Sequence, residues 1–379
     1  MSIDMSASGG NRMVPIDVLK GLLMIGIVLL HIFMLNSTER GGDLPVAFSM
    51  LYLGLLSFYV IAGYFYKPGR TFKDNMRRVL RLVIALVVTS IALPVLIFIW
   101  FAITGQAVTL SDLGDSILRA FWLYRLFEPM DGPLGIQMCF VNFINYFLWP
   151  MAEGLIIFFA LEKHVMSDKR KIIAVIIIAL LLQVVTATLF IKLPFYLQLC
   201  PIATALIFLG AFLSQYRVFD RIGSFDWKNP RYWAVFIVSL LAAYVLCTVF
   251  PGGVKFDYMY FGEFGPWSVF IYVIEAFFVT IFYVYLGTML SKIPFLSSIL
   301  SISGRHSLGL ALYHVFIAKM IMAPFYIFTF DTWFPEGIGM SALIIIAVAD
   351  VILCVVISEF GGRLLSGTIV GSREEKSDA

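Results

Sequence analysis

Charged side chains are scarce in this sequence. Asp, Glu, Lys and Arg account for 13% of its 379 residues, whereas soluble domains carry about 25%. Apolar residues account for 61%, and the mean hydropathy is +0.94. This composition excludes an ordinary soluble enzyme and a disordered chain, and the long apolar runs exclude an outer-membrane barrel, whose strands alternate over about ten residues. The sequence therefore predicts an all-α polytopic membrane protein.

Paired cysteines and a large net charge are also missing. The four cysteines, Cys139, Cys200, Cys247 and Cys354, stand singly in apolar segments, without the spacing of a zinc site or a disulfide framework. We therefore predict no metal and interpret the cysteines as small apolar side chains. The formal net charge is only +3, which gives no global field to recruit nucleic acid.

Ten segments are long and apolar enough to cross a membrane, since a helix needs roughly 20 apolar residues to span a bilayer core of about 30 Å. The predicted spans are 14–36, 45–66, 79–103, 134–161, 172–192, 195–213, 232–250, 266–290, 307–328 and 339–360. They predict a membrane domain over 14–360, between an N-terminal tail (1–13) and a C-terminal tail (361–379). No small-residue cleavage site follows the first segment, so we predict a retained helix.

Lysine and arginine are distributed unevenly between the two sides of this arrangement. Twenty of the 27 lie on the side of the two termini and five on the opposite side, and the remaining two, Lys20 and Lys319, lie within predicted spans. The largest groups fall in 67–81, 163–171 and 217–231. Because cytoplasmic loops are rich in Lys and Arg, this distribution predicts about ten transmembrane helices with both termini in the cytoplasm.

Ionisable residues inside the predicted spans are few, and each costs roughly 2.5 to 3.5 kcal/mol to insert. Those that matter most are Lys20, His31, Glu153, Glu275, His314, Lys319 and Asp350. Lys319 and Asp350 lie at similar depth on sequential spans and are expected to pair. Glu153 and Glu275 have no partner nearby in sequence, so we predict that they line a polar cavity. His314 is a candidate second donor or acceptor in that cavity.

Lys20 and His31 are predicted to share one face of the first span. Eleven residues at 100° each end only about 20° past three full turns, and the two residues stand roughly 16 Å apart along the axis. One stripe would therefore carry a cation at the inner end and an imidazole deeper in the membrane, which suits a charged cytosolic donor and an outward acceptor. A snorkelling lysine and a structural histidine would give the same spacing.

Arg78 and Arg81 are neighbours at the start of the third span. Their guanidinium groups would suit the phosphates of a nucleotide-like donor. Basic residues at cytoplasmic helix ends also arise from membrane topology and from contact with anionic lipid. Both interpretations stay open on the sequence alone.

The longest stretch between spans, about 104–133, alternates charged residues with Phe121, Trp122, Tyr124 and Phe127. Such an amphipathic aromatic segment is typical of a surface loop or an interfacial helix. Passive anchoring and contact with a substrate both fit it.

Several segments, taken in order, resemble the acyltransferase 3 family of membrane acyltransferases. IDVLKGLLMIGIVLLH resembles its basic residue, ten residues, then histidine; FYVIAGYFYKPGRTFKDNMRRVLRLV resembles the end of its second span with the R-x-x-R pair; GRHSLGLALYHVFI resembles its Gly-x-x-Ser-Leu and Tyr-Leu-x-His segment. Two departures stand out. Ala62 replaces a usual serine, and the Gly-Pro-x-Trp-Phe-Leu motif is broken up, with Tyr146, Phe147 and Leu148 as its counterparts.

The resemblance implies transfer of an acyl group, usually acetyl from acetyl-CoA, to a carbohydrate hydroxyl at or beyond the outer face of a bacterial inner membrane. It maps Lys20 and His31 onto the essential pair and Arg78 and Arg81 onto the R-x-x-R motif. The implied partners are a carbohydrate acceptor and membrane lipid.

Histidine, with a reference pKa of about 6.5, is suited to removing the proton of a sugar hydroxyl as it attacks a thioester, a role worth about 10² to 10⁴ in rate. We therefore expect His31 to be the base, Lys20 to attract or orient the donor, and Arg78 and Arg81 to hold its phosphates. The alternative is a transporter or exporter of a polysaccharide or small polar substrate, because ten spans with intramembrane carboxylates suit a proton-coupled carrier.

Overall fold

Helices make up the regular structure of the described part of the chain in this computed structural model. The described residues are 13–37, 50–51, 53–103, 108–122, 145–189, 191, 193–224, 226, 228–249, 262–327 and 340–374. The helices are α1 (Val14–Ser37), α2 (Ser57–Tyr64), α3 (Phe72–Ile103), α4 (Leu110–Phe121), α5 (Asn145–Val165), α6 (Lys169–Thr188), α7 (Cys200–Gln215), α8 (Val218–Gly223), α9 (Pro230–Val249), α10 (Ser268–Leu290), α11 (Pro294–Arg305), α12 (Ser307–Ile327) and α13 (Met340–Glu374). Short 3₁₀ helices, Pro194–Leu199 and Gly262–Trp267, precede α7 and α10.

Seven helical segments within the described residues are long and apolar enough to cross a membrane. They are Val14–Ile32, Phe72–Ile103, Lys169–Thr188, Pro194–Gln215, Pro230–Val249, Gly265–Leu290 and Ala342–Phe360, and each overlaps one of the predicted spans. The other three predicted spans overlap α2, α5 and α12, and each of these spans extends beyond the described residues. The all-helical membrane fold is therefore confirmed, while the total of ten spans and the cytoplasmic termini stay predictions.

Exposed apolar faces mark the surfaces that meet lipid. On α3, Leu80, Ile84 and Val88 recur every four residues and are about half exposed, while Val79, Leu82 and Leu86 are buried. The buried residues of α9 are Ser239, Ala243 and Cys247, one narrow stripe of small side chains at the same spacing. In water such surfaces would drive aggregation, so a hydrocarbon solvent is their physical explanation.

The described residues form two compact units, the first within Met1–Asp43 and Gly287–Ala379 and the second within Leu44–Leu286. In unit 1, α1 packs most extensively on α11 and also meets α12 and α13. Gly21 and Gly304 lie at the crossing of α1 and α11, where a Cβ at either position would overlap a backbone carbonyl of the other helix. Small residues at this crossing let the two backbones approach closely.

Unit 2 is built around α7, which packs against α2, α5 and α6. Its sequence from Ile202 to Phe208 is buried throughout. At Gly154 of α5, an added Cβ would press on the α7 backbone at Thr204, so the two helices are in close contact there. This contact sets the rotation of α5 about its own axis, and with it the directions in which Trp149 and Glu153 leave the helix.

Candidate active site

His31 and His314 form a hydrogen-bonded pair in the interior of unit 1. His31 lies on α1 with 7% of its surface exposed, and His314 lies on α12 with none exposed. The Nε2 atom of His314 is 2.9 Å from the Nδ1 atom of His31. The ring centroids are 5.0 Å apart, with the planes inclined at 39°. The fold therefore joins two predicted site residues that are 283 positions apart in sequence.

The neighbours of the pair determine which nitrogens carry protons. The Nδ1 atom of His314 lies 2.7 Å from the carbonyl oxygen of Leu310, and a carbonyl only accepts, so Nδ1 of His314 is the donor. In a neutral imidazole the other nitrogen then accepts, and His31 must donate from Nδ1. The Ile27 carbonyl, one turn earlier on α1, also hydrogen-bonds the His31 ring, as expected for a proton on the nitrogen nearer the backbone. Nε2 of His31 is left as the unprotonated nitrogen, the atom that a general base requires.

Lys20 stands on the same uninterrupted helix as His31. Because α1 runs without a break from Val14 to Ser37, the two residues are three turns apart, roughly 16 Å along the axis. Lys20 is partly buried, between Leu19 and Gly21 at the level where α1 meets α11. The helix supports the predicted geometry, while the role of Lys20 remains a prediction.

A second histidine cluster in unit 1 was missed by the sequence reasoning. His306, between α11 and α12, has Nδ1 3.2 Å from the Ser358 hydroxyl and Nε2 3.5 Å from a Glu359 carboxylate oxygen. Burial lowers the pKa of His306 below its usual value, and Glu359 opposes that effect. Gly309 leaves the space that Ser358 occupies, since a Cβ at Gly309 would overlap the Ser358 side chain. The sequence feature that could have pointed to this cluster is the histidine of the segment GRHSL, which is His306.

Arg78 and Arg81 lie in the second and third turns of α3 and belong to unit 2. Arg78 is partly buried and Arg81 is exposed. Arg77 pairs instead with Asp74 at 3.2 Å, on the surface. Arg70, before the start of α3, has a buried Nη1 atom with no hydrogen-bond partner among the described residues. Together with the exposed Arg77 and Arg81, this unused guanidinium donor makes the chain around the start of α3 rich in groups that suit an anion.

Glu153 and Glu275 both lie in unit 2, on α5 and α10. Glu275 is 3% exposed. Glu153 is less deeply buried, but its Oε2 atom is inaccessible and has no hydrogen-bond partner in the described part of the chain. The same holds for the indole nitrogen of Trp149, one turn earlier on α5, a residue that was not among the predicted site residues.

The predicted pairing of Lys319 with Asp350 lies partly outside the described residues, which do not include the Lys319 side chain. Asp350 is fully buried on α13, and its Oδ1 atom accepts a hydrogen bond from the Cys354 thiol at 3.3 Å. The pairing therefore stays a prediction. Cys200, Cys247 and Cys354 are free and buried, as predicted, whereas Cys139 lies outside the described residues.

No curated protein and no solved structure matches this chain. A family model described as an acyltransferase domain matches residues 14–359, nearly the whole length. It covers α1 with Lys20 and His31, the basic start of α3, and α12 with His314. The resemblance identified from the sequence motifs is confirmed, and the chain belongs to the acyltransferase 3 family.

Proposed function

We propose that this membrane acyltransferase transfers an acetyl group from cytosolic acetyl-CoA to a hydroxyl of an envelope or extracellular carbohydrate, in the inner membrane of a bacterium. The observation that supports this proposal best is the hydrogen bond from His31 to His314, which leaves Nε2 of His31 unprotonated. Family membership supports acyl transfer. Acetyl-CoA and the carbohydrate are the proposed donor and acceptor.

The reaction follows from that tautomer. Nε2 of His31 takes the proton of the acceptor hydroxyl as its oxygen attacks the thioester carbonyl. The new C–O bond forms, the C–S bond breaks, and the coenzyme A thiolate receives the proton from the imidazolium. The products are the carbohydrate ester and free coenzyme A. His314 acts as a positioning residue, because its Nε2 accepts the His31 Nδ1–H and stabilises the imidazolium while it exists.

The basic residues serve the donor. Coenzyme A carries several phosphate charges, and the guanidinium groups of Arg78 and Arg81 suit them in charge and geometry. Lys20 supplies a further cation on the helix that bears the base. None of these residues takes part in proton transfer, so their loss is expected to change donor affinity more than the rate at saturation.

The test uses the full-length protein in lipid nanodiscs with radiolabelled acetyl-CoA and de-O-acetylated envelope polysaccharide from the bacterium that makes it. The wild type is expected to release free thiol and to place base-labile label on the polysaccharide. His31→Ala should abolish both while keeping its elution volume and helicity. His164→Ala, a matched change at an exposed histidine on α5, should leave both intact. Full activity in His31→Ala, or no transfer by the wild type, would overturn the proposal.

A further inference from the structure

Three aromatic rings meet at the first turns of α5 in unit 2. The ring centroids of Trp149 and Phe195 are 5.2 Å apart, those of Trp149 and Phe121 are 6.0 Å apart, and those of Phe121 and Phe195 are 5.9 Å apart. With Glu153, one turn further along α5, they form what we call the Trp149 cluster. Trp149 is 5% exposed, while Phe195 is 42% exposed and opens the cluster to its surroundings.

The cluster holds two buried polar atoms with complementary needs. The indole N–H of Trp149 is a donor, and the Oε2 atom of Glu153 is an acceptor, and neither has a hydrogen-bond partner among the described residues. Residues four apart lie on the same helix face. Buried polar groups are nearly always paired, so these two atoms call for a group that accepts and donates at once. A hydroxyl has that combination.

The local backbone is held in a costly conformation that presents Phe195. Phe195 and Tyr196 have positive φ angles of 58° and 63°, a region that side chains other than glycine rarely occupy. The Tyr196 hydroxyl donates to the Arg119 carbonyl at 3.1 Å, and Gln198 accepts from the Leu193 amide at 3.2 Å. The bond from Tyr196 ties the turn that carries Phe195 to α4, whose last residue is Phe121, and the bond from Leu193 closes the turn itself. Both rings therefore have defined positions in the protein.

The position of the cluster in unit 2 matches an outward-facing substrate. Trp149 precedes Val165, the last residue of α5, by 16 residues, roughly 24 Å along the helix. The Val165 end adjoins the basic residues 163–171, which the distribution of Lys and Arg assigns to the cytoplasm. The cluster therefore lies at the opposite end of α5, away from the predicted entry of the donor.

From this geometry we infer that the Trp149 cluster is the binding site for a pyranose unit of the acceptor carbohydrate. Sugar rings have apolar C–H faces that suit aromatic rings, and hydroxyls that accept from Trp149 and donate to Glu153. The residues that form the cluster include no cationic side chain to attract the anionic donor, and its two buried polar atoms disfavour a lipid tail. This inference rests on the proposed function, because it names the site that receives the proposed acceptor.

The first experiment measures binding without any chemistry. Full-length protein in nanodiscs is titrated with de-O-acetylated envelope polysaccharide in the absence of acetyl-CoA, and tryptophan fluorescence is recorded. We expect a saturable change that is lost in Trp149→Phe and kept in Trp267→Phe, a matched change at an exposed tryptophan. An unchanged titration curve in Trp149→Phe would overturn the inference.

The second experiment separates the acceptor from the donor. Trp149→Phe keeps an aromatic ring and removes the N–H, and Glu153→Gln replaces one oxygen of the side chain with an NH₂ group. Each is expected to raise the KM for polysaccharide about tenfold, the effect of one lost hydrogen bond to a buried group, while the KM for acetyl-CoA stays within about twofold. A lower kcat with an unchanged acceptor KM would contradict the inference.

The two proposals fail in different ways. If the wild type transfers no label to the polysaccharide, the proposed function is wrong. If the wild type transfers label and both variants keep the wild-type acceptor KM, only the carbohydrate site is wrong. Should Trp149→Phe fail to fold, Glu153→Gln carries the same test, because it changes a side chain that is only partly buried.

Discussion

Units 1 and 2 treat their buried polar groups differently. In unit 1, a continuous chain of hydrogen bonds runs from the Leu310 carbonyl through His314 to His31 and fixes the proton on each ring. In unit 2, Trp149 and Glu153 each keep a buried polar atom without a partner among the described residues. This difference indicates separate roles for the two units. Paired groups set a protonation state for chemistry, and unpaired groups are available to a ligand.

Asp350 is the exception within unit 1. Its Oδ2 atom is buried without a hydrogen-bond partner in the described residues, although Oδ1 accepts from Cys354. The predicted partner is Lys319. The difference between the two units therefore lies in the histidine pair and the Trp149 cluster, and it does not extend to every buried polar group.

The largest expected effect is the loss of kcat on substitution of His31 in unit 1. His31→Ala removes the proposed base, so kcat should fall by about 10² to 10⁴, with donor binding kept. The measurement is thiol release at saturating acetyl-CoA and polysaccharide, with His164→Ala as the control. A kcat in His31→Ala within threefold of wild type would remove His31 from the reaction and with it the chemical role of unit 1.

The next effect comes from the positioning partner. His314→Ala leaves the His31 Nδ1–H without its acceptor, and kcat should fall about 10- to 100-fold, by analogy with the hydrogen-bond partners that orient metal-bound histidines. His314→Gln offers a carbonyl oxygen for the same N–H and should recover part of the loss. The kcat is measured across pH, because a changed environment of His31 should also move the profile. Equal kcat in His314→Ala and His314→Gln, with an unmoved profile, would make His314 a packing residue only.

Binding by unit 2 gives a smaller effect of a different kind. Arg78→Ala combined with Arg81→Ala removes two predicted phosphate partners, so the KM for acetyl-CoA should rise about tenfold or more while kcat changes little. Arg221→Ala removes an exposed arginine elsewhere in unit 2 and should leave both constants unchanged. If the double variant keeps the wild-type KM, the two arginines set topology and do not bind the donor.

The smallest effect concerns stability rather than activity. Burial lowers the pKa of His306 in the folded protein, so the unfolded chain binds a proton more readily below about pH 6.5, and stability should fall as the pH falls through that region. Glu359→Gln removes the carboxylate that opposes the lowering, which should enlarge the loss. Thermal unfolding at pH 7.5 and pH 5.5 measures both. A Glu359→Gln variant that loses no more than wild type would show that the 3.5 Å contact does not act on His306.

The apolar runs of the sequence predicted most helix positions, because a membrane helix must satisfy its own backbone. The span predicted over 14–36 is α1 (Val14–Ser37), and the span over 266–290 contains α10 (Ser268–Leu290). The turn at Phe195 and Tyr196 was beyond prediction, since bulky residues ordinarily avoid positive φ. A hydrogen bond from Tyr196 to Arg119, 77 positions away, helps to hold that turn, and no local sequence pattern reports it.

The candidate site, like the fold, was predicted from the sequence only in part. His31 and His314 stood out because ionisable groups inside a membrane are costly, but helical periodicity carries no information about contacts between helices that are far apart in sequence. Their pairing therefore needed the fold. Trp149 gave no signal, because only the missing partner of its N–H distinguishes it from any other membrane tryptophan, and partners are visible only in three dimensions.

Nitrogen NMR measures directly which ring nitrogen of His31 carries the proton. The protein is labelled with ¹⁵N at its histidine rings, and signals are assigned with His31→Ala and His314→Ala. We predict a protonated Nδ1 and an unprotonated Nε2 for His31, with a scalar coupling from the His31 Nδ1–H to Nε2 of His314. A protonated Nε2 on His31 would contradict the account, because the atom that must take the hydroxyl proton would already carry one.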